Sequence, residues 1–273
     1  MRTLVHISDL HFGRLDPRTV PALRQAIVAS RPDVLVVSGD LTQRARNEQF
    51  ASARRFLDSL PVPRVVVPGN HDIPLYNLLA RWLWPLAAYR RHINENVEPF
   101  YADGEIAILG VNTARSLTFK NGRINRDQVL RGCTHLDSCG SGLTRIVVTH
   151  HPFDLPGTDG EDGVIGRASM AIQGFARCRV DMILSGHLHF SNAGPTPVRY
   201  GSTGYTALLV QAGTATSSRR REELNSFNLI HIDRPLATVE RRYWDNQRRG
   251  FAVINTDRFR LTPAGWSRFS GDP

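Results

Sequence analysis

Short apolar runs alternate with amphipathic segments over the first seventy residues. Residues 4–8, 34–37 and 65–67 are aliphatic or β-branched runs, and their length is typical of buried strands. Between them, over residues 20–30 and 47–60, apolar positions recur at helical spacing. This alternation predicts an α/β protein in which helices connect the strands of a parallel sheet.

The remainder of the chain continues with strand-like patterns. Residues 106–109, 146–148 and 182–184 are further apolar runs, whereas 207–210, 227–232 and 237–243 have the alternating exposure of antiparallel strands and hairpins. Residues 122–142 form a polar connection without a clear periodicity. Because no internal repeat, low-complexity tract or linker divides the sequence, we expect a single domain over residues 1–273.

Composition and charge narrow the class of protein. The 41% hydrophobic and 22% charged content of the 273 residues is ordinary for a globular protein, and no apolar run approaches the ~20 residues of a membrane span. The N-terminus enters a strand at once and lacks the features of a leader, so we expect a cytoplasmic protein. The net charge of +9 makes anionic partners plausible, whether nucleic acid, phosphorylated small molecules or an anionic membrane surface.

Cysteine usage agrees with a reducing compartment. Cys133, Cys139 and Cys178 are odd in number and have no close paired spacing. This pattern favours reduced thiols over disulfides or a thiolate zinc site.

Polar side chains with ligand chemistry follow five of the predicted strands. They are Asp9 and His11, Asp40, Asn70 and His71, His150, and finally His187 and His189. The carboxyl ends of parallel strands meet at one edge of a sheet, so we expect these side chains to lie close together. Taken alone, a stretch such as Gly69-Asn70-His71-Asp72 could be only a turn. The repetition of the pattern at five strand ends favours a metal site instead.

The donor set indicates which metals and which chemistry to expect. Oxygen and imidazole donors without thiolates suit Mn, Fe, Zn or Ni. Because the donors are too many for one ion, we expect two ions, with the carboxylate of Asp40 as the candidate bridge. Two ions about 3.5 to 4 Å apart generate a hydroxide at neutral pH and clamp the oxygens of a phosphoryl group. The predicted reaction is therefore hydrolysis of a phosphate ester.

In order and character, these motifs resemble those of the calcineurin-like metallophosphoesterase superfamily. The matching motifs are Asp9-Leu10-His11, Gly39-Asp40, Gly69-Asn70-His71-Asp72, His150 and Gly186-His187-Leu188-His189. The resemblance implies two facing mixed β-sheets flanked by helices, a four-layer sandwich. It also implies two sets of metal ligands: Asp9, His11, Asp40 and His189 for one ion, and Asp40, Asn70, His150 and His187 for the other. His71 would be the catalytic histidine that binds no metal, and Asp72 a candidate to orient it.

Within the superfamily, the chain is most similar to class III cyclic nucleotide phosphodiesterases and glycerophosphodiester-type enzymes. The similarity lies in the opening residues 6–11, in Gly39-Asp40-Leu41-Thr42, and in the stretches 212–216 and 225–228. One departure is Gln43, where some class III members carry an acidic residue. The resemblance implies a phosphodiesterase that uses two metal ions and a metal-bound hydroxide on a cyclic nucleotide or a related small anionic phosphodiester.

Three alternatives stay open at this point. A pyrophosphatase or phosphodiesterase of a lipid or nucleotide-lipid headgroup is suggested by the aromatic segment near Trp82. A nuclease is suggested by the basic charge, although the arginines are dispersed and no nucleic-acid module is recognisable. A metal-free scaffold of the same fold would have lost ligands, whereas every ligand position is filled here.

Residues 75–93 have two interpretations. The segment contains Trp82, Leu83, Trp84, Leu86 and Tyr89 among Arg81, Arg90 and Arg91, and Pro85 predicts a break in the helix. An aromatic stripe of this kind usually belongs to a core. The alternative is a lid that receives the non-phosphate part of a substrate or rests on an anionic membrane, with its arginines meeting anionic groups.

The other histidines have weaker claims to a role. We expect His6, inside its strand, to be a satisfied buried histidine, and His151 to support the site rather than bind metal. His92, His135 and His231 have no motif around them.

Overall fold

Two mixed β-sheets face each other in the computed structural model of the protein, and helices cover their outer faces. The structure describes residues 1–118, 120–155, 163–197, 200, 204–218 and 223–269. The predicted α/β architecture of two facing mixed sheets flanked by helices is therefore confirmed.

The first sheet combines parallel strands from the start of the chain with antiparallel strands from its end. Its strands are β1 (Arg2–Ile7), β2 (Val34–Val37), β3 (Arg64–Val66), β10 (Ser226–Asp233), β11 (Leu236–Asp245), β12 (Gly250–Thr262) and β13 (Gly265–Arg268). They lie in the order β13-β12-β11-β10-β1-β2-β3, and β1, β2 and β3 run parallel. The carboxyl ends of these three strands therefore share one edge.

The second sheet is built in the same manner. Its strands are β4 (Phe100–Ala102), β5 (Ile106–Gly110), β6 (Thr144–Val148), β7 (Met182–Ser185), β8 (Asn192–Pro195) and β9 (Leu208–Gln211). They lie in the order β4-β5-β6-β7-β9-β8, with β5, β6, β7 and β9 parallel.

Three apolar layers hold the sheets and helices together. The helices are α1 (Thr19–Ala29), α2 (Asn47–Asp58), α3 (Leu78–Leu83), α4 (Ala87–His92), α5 (Arg126–Ser138) and α6 (Ala168–Arg177). One layer fills the space between the sheets, with Val36 from β2 and Ile146 from β6 fully buried. A second packs α1, α2 and α4 on the first sheet, and a third packs α5 and α6 on the second.

The sequence pattern predicts the first two helices and most of the strands correctly, but it misses two later helices and four strands. All nine predicted strands are present, and the helices expected over 20–30 and 47–60 are α1 and α2. Residues 122–142, expected to be a polar connection, contain α5 instead. Helix α6 and the strands β4, β8, β12 and β13 are also additions to the prediction. Among the described residues, no helix combines the length and apolar character needed to cross a bilayer.

The expectation of reduced thiols is wrong for two of the three cysteines. Cys133 in α5 and Cys178, which follows α6, form a disulfide across a Cα–Cα distance of 5.5 Å. The two residues are 45 positions apart, so the pairing depends on the packing of α5 against α6 and has no signature in the spacing. Cys139 is a free cysteine.

Residues 75–93 divide into a core half and an exposed half. The predicted break at Pro85 separates α3 from α4. Leu86 and Tyr89, on the α4 side, are buried, and the hydroxyl of Tyr89 donates to the carbonyl of Val66 at 2.8 Å. Trp82 and Trp84, by contrast, are 69% and 63% exposed. The core interpretation therefore holds for the second half of the segment and is wrong for the first.

Candidate metal centre

The predicted ligands converge at the carboxyl edge of the two parallel strand sets. Asp9 and His11 follow β1, and Asp40 follows β2. Asn70 and His71 lie in a single 3₁₀ turn (Asn70–Asp72) that comes after β3. His150 follows β6, and His187 and His189 follow β7. Three overlapping groups at this edge have their ligand atoms within 4.8 Å of one another: Asp9, His11 and His189; Asp9, Asp40 and His150; and His150, His151 and His187. The third group includes His151, which is not a predicted ligand.

The backbone at this edge is held in a sparsely populated conformation. Five of the predicted ligands have positive φ: Asp9 (53°), His11 (50°), Asp40 (52°), His187 (74°) and His189 (64°). Left-handed backbone is uncommon outside glycine and costs free energy, so its concentration at one edge indicates a functional site.

Close backbone approach accompanies this strain. A Cβ atom on Gly69 would lie 2.1 Å from Oδ1 of Asp40. A side chain at position 69 would therefore displace the carboxylate that lies at the centre of the site.

In each of the two central aspartates, Asp9 and Asp40, one carboxylate oxygen accepts hydrogen bonds from the protein and the other accepts none from the described residues. Asp9 Oδ2 accepts from the hydroxyl of Ser8 at 2.7 Å and from the backbone N–H of His187 at 2.9 Å. Asp40 Oδ1 accepts from the backbone N–H of His71 at 2.8 Å. Asp9 Oδ1 and Asp40 Oδ2 are buried and accept no hydrogen bond from the described residues.

Imidazole nitrogens surround these two open oxygens. Asp9 Oδ1 lies 3.4 Å from His11 Nε2 and 3.5 Å from His189 Nε2. Asp40 Oδ2 lies 4.0 Å from Nε2 of both His11 and His71. Asp40 Oδ1, on the other side, lies 3.4 Å from His150 Nε2. Asp40 thus stands between the two predicted ligand sets, as a bridging carboxylate must.

Backbone carbonyls fix which nitrogen of two histidines faces the site. Nδ1 of His150 lies 2.7 Å from the carbonyl oxygen of Ser38, and Nδ1 of His71 lies 3.0 Å from that of Gln43. A carbonyl only accepts, so both Nδ1 atoms carry hydrogen and donate. Nε2 of each ring is left toward the site, and in His150 it lies 3.0 Å from Asn70 Oδ1. Such outer hydrogen bonds orient the histidines of metal sites.

The electrostatics of the site favour a cation between Asp40 and His150. Burial opposes ionisation of Asp40, but the attractions of His150, His71 and His11 together outweigh burial and keep the pKa of Asp40 below its usual range. Burial lowers the pKa of His150, but the attractions of Asp40 and Asp9 and the hydrogen bond to Ser38 together outweigh burial and raise this pKa to about 9. Burial, followed by repulsion from His150, lowers the pKa of His187 to about 3. One extra positive charge is thus stabilised between two ionised carboxylates and neutral imidazoles.

Asp72 holds the Asp40 loop and makes no hydrogen bond to the His71 ring. Its carboxylate accepts from the backbone N–H groups of Leu41, Thr42 and Gly69 at 3.2, 2.9 and 2.9 Å, and from the Thr42 hydroxyl at 3.0 Å. The orienting contact expected of Asp72 is made by the Gln43 carbonyl instead. Burial and the charge of Asp40 raise the pKa of Asp72 to about 6.

Two histidines next to the centre support it. Nε2 of His151 donates to the carbonyl of Lys120 at 3.0 Å, and its Nδ1 lies 2.8 Å from the Thr113 hydroxyl. Both ring nitrogens are therefore engaged by the protein, as we expect of a supporting residue. His6 is buried between the side chains of Ser38 and Asn228, as expected of a satisfied core histidine. The sequence analysis did not identify the three groups that contact Nδ1 of histidines at the site. They are the carbonyls of Ser38 and Gln43, which contact His150 and His71, and the hydroxyl of Thr214, which contacts His189.

The arrangement fits two metal ions by its own chemistry. Two buried carboxylate oxygens lack hydrogen bonds, imidazole Nε2 atoms face them, and the surroundings stabilise added positive charge. Burial of an unpaired carboxylate oxygen is costly unless a cation or a donor compensates it. Mixed oxygen and imidazole ligands suit divalent ions of the first transition row, including zinc.

Comparison with known proteins points to one family. A family model described as calcineurin-like phosphoesterase matches residues 2–191. The glycerophosphodiester phosphodiesterase GpdQ of Enterobacter lignolyticus (strain SCF1) is 38% identical over 80 residues, which cover 25% of this chain and 29% of that protein. A probable GpdQ of Arcobacter nitrofigilis is 32% identical over a stretch with the same coverage. The chain thus matches less than a third of the length of these curated relatives.

Solved structures with the same architecture cover almost the whole chain. A dimetal phosphatase from Danio rerio superposes with a TM-score of 0.65 at 13% identity and covers 93% of this chain and 98% of its own. Purple acid phosphatase PPD1 from yellow lupin (Lupinus luteus) seeds superposes with a TM-score of 0.69 at 14% identity and covers 93% of this chain and 53% of its own. At these identities the likeness shows a shared fold and no more.

Proposed function

Because the chain belongs to the calcineurin-like phosphoesterase family, we propose that it is a phosphodiesterase that depends on two metal ions and hydrolyses a small anionic phosphodiester. The observation that carries the proposal is the position of Asp40. Its two oxygens face opposite ligand sets, 4.0 Å from His11 Nε2 on one side and 3.4 Å from His150 Nε2 on the other.

The residues that would hold the ions follow from this geometry. Asp9, His11, Asp40 and His189 form one set, and Asp40, Asn70, His150 and His187 form the other. When bound, two such ions supply Lewis acids for the phosphoryl oxygens and a nucleophile from water at neutral pH. Elemental analysis of the purified protein would distinguish Mn, Fe, Zn and Ni.

His71 is the proposed acid for the leaving oxygen. Its Nε2 faces the site beside Asp40, and the Gln43 carbonyl holds the ring through Nδ1. Burial lowers the pKa of His71, which favours the neutral ring in the free protein. An anionic phosphoryl group beside Nε2 acts in the opposite direction, so substrate binding favours the protonated ring that can donate to the leaving group.

Glycerophosphodiesters and cyclic nucleotides are the proposed substrate classes. The names of the curated relatives support the first, and the similarity to class III cyclic nucleotide phosphodiesterases supports the second. The cleft next to the site, lined by Arg115, Arg123 and Arg167, is complementary to anionic substrates of either kind.

Activity on a defined panel tests the proposal. The panel holds glycerophosphocholine, 3′,5′-cyclic AMP, bis-p-nitrophenyl phosphate, a nucleoside-diphospho-lipid and single-stranded DNA, each assayed with added Mn²⁺ and after chelation. We expect metal-dependent hydrolysis of small diesters and its loss in Asp40→Ala, with bound metal counted by elemental analysis. Preference for DNA or for the diphospho-lipid would favour the nuclease or pyrophosphatase alternative, and a chain that binds no metal would favour the scaffold.

A further inference from the structure

The surface around α3 exposes an unusual amount of apolar side chain. Tyr76, Leu78, Leu79, Trp82 and Trp84 are each between 63% and 76% exposed. Leu117, in the loop that follows β5, is 80% exposed. Single exposed apolar residues are normal, but a continuous group that includes two tryptophans indicates an interaction surface. We call these six residues the α3 patch.

Buried hydrogen bonds anchor the α3 patch to the protein. Arg81, on the inner side of α3, is only 3% exposed. Its guanidinium donates to the carbonyls of Ser116 at 2.7 Å, Thr118 at 2.8 Å and Pro74 at 3.1 Å. The lid interpretation expected Arg81 to meet an external anion, and this expectation is wrong because the side chain is buried. These hydrogen bonds tie the inner side of α3 to the loop that carries Leu117, and the apolar side chains of the patch therefore stay on the exposed side.

An arginine-lined cleft adjoins the α3 patch. The cleft measures about 360 Å³, and Leu117 of the patch lines it together with Arg115, Arg123 and Arg167. Arg123 and Arg167 are exposed, and neither forms an ion pair with a described carboxylate, whereas Arg131 and Arg145 pair with Glu98 and Asp137. Among the described residues, the guanidinium of Arg115 donates to the neutral oxygens of Asn112, Ala114 and Gln128, and Glu98 is near enough to attract its charge.

Both features lie close to residues that contact histidines of the metal centre. The guanidinium of Arg44 lies 5.5 Å from the ring centroid of Tyr76, and the neighbouring residue Gln43 holds His71. On the other side, a Cβ atom on Gly122, next to Arg123, would lie 2.1 Å from Nδ1 of His151. The patch and the cleft are thus each one or two residues away, along the chain or across a contact, from groups that hold histidines of the site.

The charge around the patch distinguishes between the partners that could bind it. Residues 73–93 and 113–126 contain no Asp or Glu, but they contain seven Lys or Arg, namely Arg81, Arg90, Arg91, Arg115, Lys120, Arg123 and Arg126. A second copy of this chain would bring its own net charge of +9 to the contact. An anionic lipid bilayer brings the opposite charge and an interfacial region in which tryptophan side chains are favoured.

We infer that the α3 patch and the arginine-lined cleft form one surface that docks onto an anionic lipid bilayer, with the tryptophans at the interface and a lipid phosphate in the cleft. The inference shares this cleft with the substrate binding proposed above, but the metal ligands take no part in docking, so vesicle binding and metal-dependent hydrolysis can fail separately.

Vesicle binding tests the inference without any turnover. The wild-type chain is sedimented with vesicles of phosphatidylcholine alone and with vesicles that contain phosphatidylglycerol. We expect at least tenfold stronger binding to the anionic vesicles, weakened by 0.5 M salt because screening reduces the attraction. Trp82→Ala/Trp84→Ala and Arg123→Gln/Arg167→Gln should each weaken binding about tenfold or more.

Two matched double variants control for general effects of charge and exposed apolar area. Leu130→Ala/Ile254→Ala removes side chains that are 56% and 66% exposed in α5 and β12. Arg24→Gln/Arg177→Gln removes two exposed arginines of α1 and α6. Both should bind like the wild type, and unchanged melting temperatures should show that all four variants fold.

Tryptophan fluorescence locates the contact. Of the four tryptophans, Trp244 and Trp266 are buried, so quenching by brominated lipid reports on Trp82 and Trp84. We expect quenching in the wild type and none in Trp82→Ala/Trp84→Ala. Equal binding by the patch variants and their controls would overturn the inference. A failure of the wild type to bind anionic vesicles would also overturn it. If ultracentrifugation then showed a dimer that Trp82→Ala/Trp84→Ala dissociates, the patch would be the contact between two copies of this chain.

Discussion

At the scale of single residues, His71 is the histidine that lies beside Asp40, with its Nε2 4.0 Å from Asp40 Oδ2, but belongs to neither proposed ligand set. His71→Ala should lower kcat by about 10² to 10⁴ because it removes a proton donor that acts in the transition state. Metal content should stay at the wild-type value. The kinetic loss should be smaller for bis-p-nitrophenyl phosphate than for a glycerophosphodiester, since nitrophenolate leaves without protonation.

Asn70→Ala is the matched control for His71→Ala, since it changes the preceding residue and removes a proposed ligand. It should lose metal as well as activity. Loss of metal in His71→Ala would instead make His71 a ligand, and an equal kinetic loss on both substrates would contradict its role as an acid.

The sequence could predict which side chains meet at this centre, but not what holds them. Asp9, Asp40 and the histidines are recognisable because their side chains carry the chemistry and follow apolar strands. Gln43 contributes a backbone carbonyl, which any residue would offer, so nothing in its side chain reveals the contact with His71. The sequence likewise gave no indication that Asp72 bonds three backbone N–H groups of two neighbouring loops.

At the scale of elements, α5 and α6 show why part of the fold could not be predicted. Each has a glycine in its interior, Gly132 and Gly174, which weakens the helical signal. A Cβ atom on Gly174 would lie 2.4 Å from Cγ1 of Val129, and one on Gly132 would lie 2.7 Å from Cδ2 of Leu109. Close tertiary packing therefore accommodates the two glycines, and this packing cannot be read from the sequence of either helix alone.

The disulfide between the same two helices gives a prediction at this scale. Without reductant, the unfolded wild-type chain should present one reactive thiol, that of Cys139, and three after reduction. Cross-linking residues that are 45 positions apart removes entropy from the unfolded chain equivalent to about 4 kcal/mol. Reduction should therefore lower the denaturant midpoint of the wild type.

Two cysteine variants check the origin of that effect. Cys133→Ser should have a lowered midpoint with or without reductant, whereas Cys139→Ser should respond to reductant like the wild type. Three reactive thiols in the oxidised, unfolded wild type would show that the pair is not bonded.

At the scale of the whole molecule, the matched family region and the rest of the chain share their sheets. The family model ends at residue 191, yet β10 pairs with β1 along five residue pairs. Trp266 in β13 donates from Nε1 to Asp181 Oδ1 at 3.0 Å, just before β7 of the other sheet. We therefore propose that residues 1–273 act as one domain, as the absence of a linker predicts. The cytoplasmic location stays a prediction.

Stability of the whole molecule should depend on the metal centre, because its ligands come from strand ends of both sheets. Binding at 100 times the dissociation constant contributes about 2.7 kcal/mol per site, which corresponds to a rise of roughly 5 to 10 °C in melting temperature for a chain of this size. Chelation should reverse that rise in the wild type, and added Mn²⁺ should restore it. Asp40→Ala should show little response to metal because it lacks the shared carboxylate, and loss of the attraction between Asp40 and His150 should lower its stability below that of the chelated wild type. His71→Ala, which keeps every ligand, should respond like the wild type. Equal melting temperatures of chelated and Mn²⁺-loaded wild type would contradict a metal centre that couples the two sheets.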